Sequence, residues 1–281
     1  MSIFFLLTNK MKKGLHIGTS GWSYGKDWKG VFYSSGTSML QQYLLYFDTA
    51  EINSTFYALP KPNFIKHLST VNKNKFFTAK LPKKVTHDHR LDLTGDGGLV
   101  LDEFFELMHP IEERVEVLLI QLPPWDISTM ASLETFFASL RPQYRYAIEF
   151  RHESWLKKSV WSLLEQYDIA NVIVDEPRLP VDLRITTDFS YIRWHGQNEK
   201  LWYNYRYSLD QLKAWIPRLE QVSNSVAHVF GYFNNHFAGN APLNALQLLS
   251  LLGTINPRQE HKLMKMLESD AVQQTSLNDF V

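Results

Sequence analysis

Acidic, basic and imidazole side chains recur in this sequence at the ends of short apolar runs. Glu149 and Arg151 end one run, Arg193 and His195 end another, and one residue separates the members of each pair. Residues two apart in a β-strand point to the same face. The spacing therefore predicts that both pairs face one side of a sheet. There a carboxylate can act as a general base, an imidazole as a general acid and a guanidinium as an anion ligand.

The other apolar runs also end in polar side chains. The predicted strand-end residues are Ser20, Glu51, Lys80, Gln121, Glu149, Asp175, Arg193 and Asn234 or Asn235. One explanation is purely structural, with charges that simply neutralise one another in the interior. A buried ion network is rarely more stabilising than apolar packing of the same volume, so these residues favour a ligand site.

Segments of helical period alternate with these runs. Strands are predicted over residues 15–19, 47–51, 76–80, 115–121, 144–150, 171–175, 191–195 and 228–234, and helices over 38–46, 128–140, 159–167 and 209–222. This alternation predicts an α/β protein, a single (β/α)8 TIM barrel over residues 15–281. An open doubly wound sheet competes with it, but no glycine-rich phosphate loop follows an early strand. In a barrel the strand-end residues meet at the C-terminal mouth, where this fold holds its catalytic groups.

Several segments, in sequence order, resemble the YecE-like family, or domain of unknown function 72. They are IGTSGWSY at 17–24, EINSTFY at 51–57, QLPP at 121–124, EFRH at 149–152, RWHG at 193–196 and FNN at 233–235. The resemblance spans nearly the whole chain and implies a TIM barrel with its site at the strand ends. It supports Lys80, His87 and Arg90 in the third unit, and it supplies no reaction.

Composition narrows the classes of protein. Of the 281 residues, 44% are hydrophobic and 21% are charged, which is typical of a globular protein with a large core. The net charge of zero lacks the basic field of nonspecific nucleic-acid binding, so nucleic acid is not the favoured partner. The absence of cysteine excludes disulfides, thiolate metal sites and cysteine nucleophiles, and it fits a reducing compartment.

The N-terminus does not indicate export. The apolar run at residues 3–7 lacks a preceding cationic region and a cleavage site, and no run approaches the roughly 18–20 residues that span a bilayer. The sequence therefore predicts a cytoplasmic protein without membrane contact. Met11 lies just before the first strand, so residues 1–14 are predicted to be an extension, with translation starting at Met1 or Met11.

The favoured hypothesis is a hydrolase that acts on a small phosphorylated or otherwise anionic molecule. Glu51 or Glu149 would be the general base and His195 the general acid. The predicted substrate-binding residues are Trp22, Asn53, Tyr57, Lys80, His87, Arg90, Gln121, Arg151, Asp175, Arg193, Asn234 and Asn235. Arginine binds phosphate and carboxylate in two-pronged fashion, which suits an anionic substrate.

Two other classes stay open. Glu51 and Glu149 fit the acid and base of a glycosidase. The aromatic side chains that would stack on its sugar rings are Trp22, Tyr24, Trp28, Phe56, Tyr57, Trp125 and Trp155. A barrel that binds a ligand or protein without catalysis also fits, because the chain has no cysteine and no Gly-x-Ser-x-Gly elbow.

No organic cofactor motif is present. A divalent metal is not favoured, because Lys80, Arg151 and Arg193 would repel it. Oligomeric state is not predicted.

Overall fold

Eight parallel strands form the barrel in a computed structural model that describes residues 14–278, with side chains described through residue 269. The strands are β1 (Leu15–Thr19), β2 (Thr49–Ile52), β3 (Phe76–Lys80), β4 (Val115–Gln121), β5 (Arg145–Glu149), β6 (Ile169–Asp175), β7 (Phe189–Trp194) and β8 (His228–Phe233). Their order in the sheet is β1-β8-β7-β6-β5-β4-β3-β2. The (β/α)8 TIM barrel predicted from the sequence is confirmed. The predicted extension over residues 1–14 lies outside the described residues, except for Gly14.

Helices surround the barrel. They are α1 (Gly25–Trp28), α2 (Met39–Tyr43), α3 (Ser54–Tyr57), α4 (Pro62–Ser69), α5 (Asp96–Met108), α6 (Leu133–Ala138), α7 (Lys158–Gln166), α8 (Leu209–Ser225), α9 (Asn240–Leu251) and α10 (Pro257–Asn278). A π-helical turn covers Lys84–Asp88, and 3-10 turns cover His109–Arg114, Ile127–Thr129, Glu153–Trp155 and Phe237–Gly239. No helix in the described part of the chain is both long enough and apolar enough to cross a membrane.

The helix predicted over 128–140 is shorter than expected. Met130 has an extended backbone that separates a 3-10 turn from α6. Ser132 then starts a new helix, because its side chain accepts a hydrogen bond from the Thr135 backbone amide. The sequence pattern merges two capped segments into one, since both present apolar residues to the barrel.

The barrel closes between β1 and β2, beside the predicted site. Ser20 and Glu51 form an isolated parallel bridge, and the Gly21 amide donates to the Glu51 carbonyl at 2.8 Å. Gly18 allows this approach, because a Cβ at that position would lie 2.4 Å from the Thr49 carbonyl oxygen. Closure therefore fixes the Glu51 backbone at the mouth.

Alternation along each strand sorts side chains between the helix layer and the barrel interior. In β7, Ile192 and Trp194 belong to the apolar cluster beneath the helices, whereas Tyr191 packs in a separate inner cluster. The Tyr191 hydroxyl lies 2.8 Å from Thr78 Oγ1 across the interior. Apolar and hydroxyl-bearing side chains thus fill the barrel up to its polar mouth, which places Arg193 inward as its spacing predicts.

Candidate active site at the C-terminal mouth of the barrel

Each strand places one polar side chain at the mouth. In strand order these are Ser20, Glu51, Lys80, Gln121, Glu149, Glu176, Arg193 and Asn234. All of them except the half-buried Gln121 are buried. They match the predicted strand-end residues everywhere except after β6, where Glu176 replaces Asp175. The structure therefore brings distant parts of the sequence into one polar layer.

Arg193 lies at the centre of this layer and bridges two carboxylates. Its Nη1 lies 2.6 Å from Glu149 Oε2, and its Nη2 lies 2.7 Å from Glu51 Oε1. The Nη2 also donates to Ser20 Oγ at 2.9 Å, and the Tyr191 hydroxyl donates to the second oxygen of Glu51 at 2.6 Å. Both carboxylates are completely buried. Both Nη atoms of Arg193 are thus held by protein groups, whereas its buried Nε has no hydrogen-bond partner among the described residues.

Glu149 also contacts Arg151 and His195. Arg151 Nε donates to Glu149 Oε1, and His195 Nε2 lies 3.5 Å from the same oxygen. Burial opposes ionisation of Glu149, but the charges of Arg151 and Arg193 hold its pKa well below its usual range. Glu149 is therefore a carboxylate at neutral pH.

His195 is a neutral imidazole with both nitrogens engaged. Its Nε2 lies 3.0 Å from Arg151 Nη2, and its Nδ1 lies 3.0 Å from the Asn234 amide. Burial and the charge of Arg151 lower the pKa of His195 to about 3. At pH 7 this ring does not hold the imidazolium proton that the predicted general acid would deliver.

Lys80 is a buried amine that pairs with no carboxylate in the described part of the chain. Its Nζ donates to Gln121 Oε1 at 2.5 Å and lies 3.3 Å from the centroid of the Phe56 ring. Among the side chains that the structure describes, no carboxylate lies within 4.0 Å of Nζ. Burial and the charge of Arg193 lower the pKa of Lys80 to about 7. Two of its three ammonium donors remain for a ligand.

Asp175 and Glu176 lie on opposite faces of β6. Asp175 points to the helix layer, where Trp215 Nε1 in α8 donates to its Oδ2 at 2.7 Å. Glu176 falls on the same face as Val172 and Val174, which pack inside the barrel. This face places Glu176 at the mouth and Asp175 outside it. The strand predicted over 171–175 ends at Asp175 and therefore leaves Glu176 out. The alternation of the two valines nevertheless identifies the inward face.

Neither carboxyl oxygen of Glu176 has a side-chain hydrogen-bond partner within the described residues, although Glu176 is only 3% exposed; the Arg178 backbone amide lies near enough to favour its charged form. Burial raises the pKa of Glu176, and the positive charge of Arg151 opposes this shift only in part. A buried carboxyl group without a partner costs free energy unless it is protonated or meets a ligand. Glu176 is therefore the least satisfied acid of the mouth.

His87 and Arg90 lie on the rim above Lys80. The His87 ring packs edge-on against Phe56, with centroids 5.1 Å apart, and against Trp125 at 6.3 Å. Arg90 lies 5.0 Å over the Trp125 ring. Burial and the charge of Lys80 lower the pKa of His87 to about 4, so this ring is neutral at pH 7. The loops after β3 and β4 thus form a rim of aromatic rings with one arginine.

The remaining predicted residues divide between the mouth and its surroundings. Asn53 Nδ2 donates to Ser20 Oγ at 2.9 Å, which joins Asn53 to the polar layer. Trp22 is buried against Phe64, whereas Tyr57 is 80% exposed. Asn235 points away from the mouth, because its amide donates to the Tyr205 carbonyl and to Asn244 in α9, each at 2.8 Å.

Two of the large cavities among the described residues lie at opposite ends of the barrel, and a third, of about 490 Å³, lies between α2 and α4. One of about 580 Å³ lies at the N-terminal end, next to Arg141, Tyr167 and Asp188. The other, of about 510 Å³, lies at the mouth and includes Asn53 and Tyr57 in its wall. We place the candidate site at the mouth because the buried, incompletely paired groups are there and because TIM barrels carry their chemistry at that end. The described residues contain no cluster of three His, Asp or Glu side chains arranged to hold a metal.

Fold and site together define a (β/α)8 barrel with a charged C-terminal mouth. The family model for the protein of unknown function DUF72 matches residues 16–266, so the chain belongs to the DUF72 family. It is 25% identical over 272 residues to the UPF0759 protein YunF of Bacillus subtilis, covering 85% of this chain and 94% of YunF. It is also 25% identical over 234 residues to YecE of Escherichia coli K12, covering 74% and 81%.

Solved structures support the same assignment. The crystal structure of a DUF72 family protein from Thermotoga maritima is similar with a TM-score of 0.75 and 32% identity, covering 85% of this chain and 99% of that one. A DUF72 family protein from Enterococcus faecalis has a TM-score of 0.72 at 19% identity, covering 86% and 98%, and this likeness concerns the fold alone. These relatives establish the family and the fold, while the chemistry has to be argued from the mouth itself.

Proposed function

We propose that the mouth binds the anionic group of a small phosphorylated molecule and that the protein hydrolyses it. The observation that carries this proposal is Lys80, a buried amine with free donors and no carboxylate within 4.0 Å among the described side chains. A phosphate at this position would supply the missing counter-charge and stabilise the ammonium form.

Arg151 supports the proposal as a second anion ligand. Its Nε and Nη2 bond to Glu149 and His195, which leaves Nη1 without a hydrogen bond among the described residues. The guanidinium also lies 5.1 Å over the Trp202 ring. Because Glu149 and Trp202 fix its plane, a free Nη1 would be held ready for an anion at low entropic cost.

The general acid of the proposed reaction differs from the one suggested by sequence, whereas the general base is kept. Glu149 stays ionised and is the candidate general base, and as a base it would have to exchange its contact with Arg151 or Arg193 for the attacking water. Glu176, whose burial raises its pKa, is the candidate general acid. His195 then orients Arg151 rather than delivering a proton, because its pKa of about 3 leaves it neutral.

The glycosidase alternative receives less support. Its mechanism requires one protonated carboxyl group and one carboxylate on either side of a sugar. Here Arg193 occupies both Glu51 and Glu149, and the pKa of Glu149 lies well below its usual range. The aromatic side chains suggested for sugar stacking are also mostly buried, including Trp28 and Trp155. A barrel that binds an anion without turnover remains the second candidate, because the free Lys80 donors serve either role.

Phosphate release from a panel of 4-nitrophenyl phosphate, nucleoside monophosphates and sugar phosphates tests the proposal. We expect turnover by the wild type and its loss in Lys80→Met and Glu176→Gln. Lys83→Met is the matched control, because Lys83 is exposed and already paired with Asp88 at 3.0 Å. If these compounds bind without turnover, the protein is a binding protein and not a hydrolase. If they neither bind nor turn over, the anion site is contradicted.

A further inference from the structure

The cavity at the mouth has an aromatic wall that the proposed reaction does not use. It is formed by the loops that follow β1 and β2 and is lined by Trp22, Tyr24, Asn53, Tyr57, Leu59 and Phe64 among others. Trp22 and Phe64 stack with centroids 6.2 Å apart and an interplanar angle of 15°, which gives a flat apolar surface. Tyr57 lies on the same wall and is 80% exposed, so its ring is free to contact a ligand.

Hydrogen bonds and ring contacts link this aromatic cavity to the charged layer, whose Lys80, Glu149 and Arg193 do not line the cavity itself. Tyr24 donates its hydroxyl proton to the Ser20 carbonyl at 2.7 Å, and Asn53 Nδ2 donates to Ser20 Oγ at 2.9 Å. On the other side, Phe56 packs edge-on against Tyr57 at 5.1 Å and carries Lys80 over its ring face. One ligand lying across Phe56 would therefore meet Tyr57 at one end and the Lys80 amine at the other.

The chemistry of the wall selects the kind of group that it can hold. Flat apolar surfaces and an exposed tyrosine ring favour a planar ring, because aromatic stacking adds to simple burial of area. The polar groups of Ser23, Asn53 and Ser54 line the same cavity and suit a ring that carries nitrogen or oxygen atoms.

We propose that this cavity holds a heteroaromatic ring, so that the ligand of the mouth is a nucleotide-like phosphorylated compound. The inference rests on the proposed function for the position of the phosphate, and it adds the ring. The volume of the cavity, about 510 Å³, lies within the usual range for a site that binds a small organic molecule. The ring would stack on Tyr57 while its phosphate reaches Lys80.

Calorimetric titration tests the ring separately from the phosphate. The probes are adenosine 5′-monophosphate, uridine 5′-monophosphate, ribose 5-phosphate and adenosine, each titrated into the wild type, Tyr57→Ala and Trp125→Leu. We expect one or both nucleotides to bind about tenfold or more tightly than ribose 5-phosphate, a difference typical of one stacked base. Tyr57→Ala should remove this advantage and leave ribose 5-phosphate affinity unchanged. Because Tyr57 is exposed, the variant should fold as the wild type does.

The outcomes separate the two proposals. Equal affinities of the nucleotides and ribose 5-phosphate for the wild type would contradict the ring site, while the phosphate site would still be supported. If the nucleotides instead lose their tighter binding in Trp125→Leu and keep it in Tyr57→Ala, that result contradicts a ring site in this cavity, because the ring would then lie beside Trp125. If no phosphorylated probe binds, the proposed function fails. Adenosine then tests the ring site by itself. Adenosine binding that is lost in Tyr57→Ala would support the ring site in this cavity, and absence of adenosine binding would contradict it.

Discussion

Arg193 Nη1 lies 2.6 Å from Glu149 Oε2, and the two side chains are only 2% and 0% exposed. The neighbouring Nη2 makes the equivalent contact with Glu51. A charge removed from water is tolerated only when it is paired and hydrogen-bonded, so this guanidinium helps to keep Glu149 ionised and gives Glu51 a paired cation. Glu51 and Glu149 therefore depend on Arg193 for their position, and Glu149 depends on it for its charge as well.

Removal of Arg193 should destabilise the protein strongly. Arg193→Met leaves Glu51 and Glu149 without their shared cation, and we expect the free energy of unfolding to fall by about 3–5 kcal/mol. Urea denaturation followed by circular dichroism measures it. Arg184→Met, which loses an exposed pair with Asp182, should change stability by less than about 1 kcal/mol. Equal effects of the two substitutions would contradict the central position of Arg193.

Anion affinity should depend on the protonation of Lys80. Its pKa of about 7 means that the ammonium form is lost as pH rises through neutrality, so affinity should fall between pH 6 and 8. Sulfate is the suitable probe, because its own charge does not change in this range. Calorimetric titration should show this loss in the wild type and a weak, flat profile in Lys80→Met. A wild-type profile as flat as that of the variant would exclude Lys80 as the ligand.

Glu176 should make a pH-dependent contribution to stability. Because its pKa is raised in the folded protein, its stabilising contribution is complete below the unfolded value of 4.5 and is lost as pH rises through the folded value. The stability of the wild type minus that of Glu176→Gln should therefore decrease with rising pH, by at most about 1.4 kcal/mol per pH unit. Thermal and urea unfolding from pH 4 to 8 measure the difference. A difference that stays flat over this range would show that Glu176 is an ordinary carboxyl group.

Asp175 should act on stability and not on ligand binding. Asp175→Ala removes the acceptor of Trp215 Nε1 in the helix layer and should cost about 1–3 kcal/mol. Sulfate affinity at pH 6 should match that of the wild type, because Asp175 points away from the mouth. If Asp175→Ala keeps its stability but loses sulfate binding, Asp175 is a ligand-binding residue and its structural role is contradicted.

The sequence predicted the barrel and most of the polar layer because strand alternation is a local property. Runs such as the one ending at Lys80 carry both the strand signal and the inward polar residue. The error at Asp175 arose where the run continues into Glu176 and two acidic residues compete for the inward face. Alternation from Val172 and Val174 settles that choice, so the signal was present in the sequence.

The pairing within the layer was beyond sequence reasoning. Arg193 and Glu51 are far apart in the chain and meet only because the barrel closes between β1 and β2. The neutral state of His195 likewise depends on burial beside Arg151, which follows from packing. Sequence therefore identified the groups, while their charge states and partners required three-dimensional contacts.

The most direct test of the anion site is a calorimetric titration of inorganic phosphate into the wild type, Lys80→Met and Lys83→Met at pH 6. Lys80 is buried without a carboxylate partner among the described side chains, whereas Lys83 is exposed and paired with Asp88. We predict saturable binding to the wild type and to Lys83→Met, with affinity reduced about tenfold or more in Lys80→Met, as expected for loss of one charged hydrogen bond. Absence of binding to the wild type, or equal binding to all three proteins, would contradict an anion site at the mouth of the barrel.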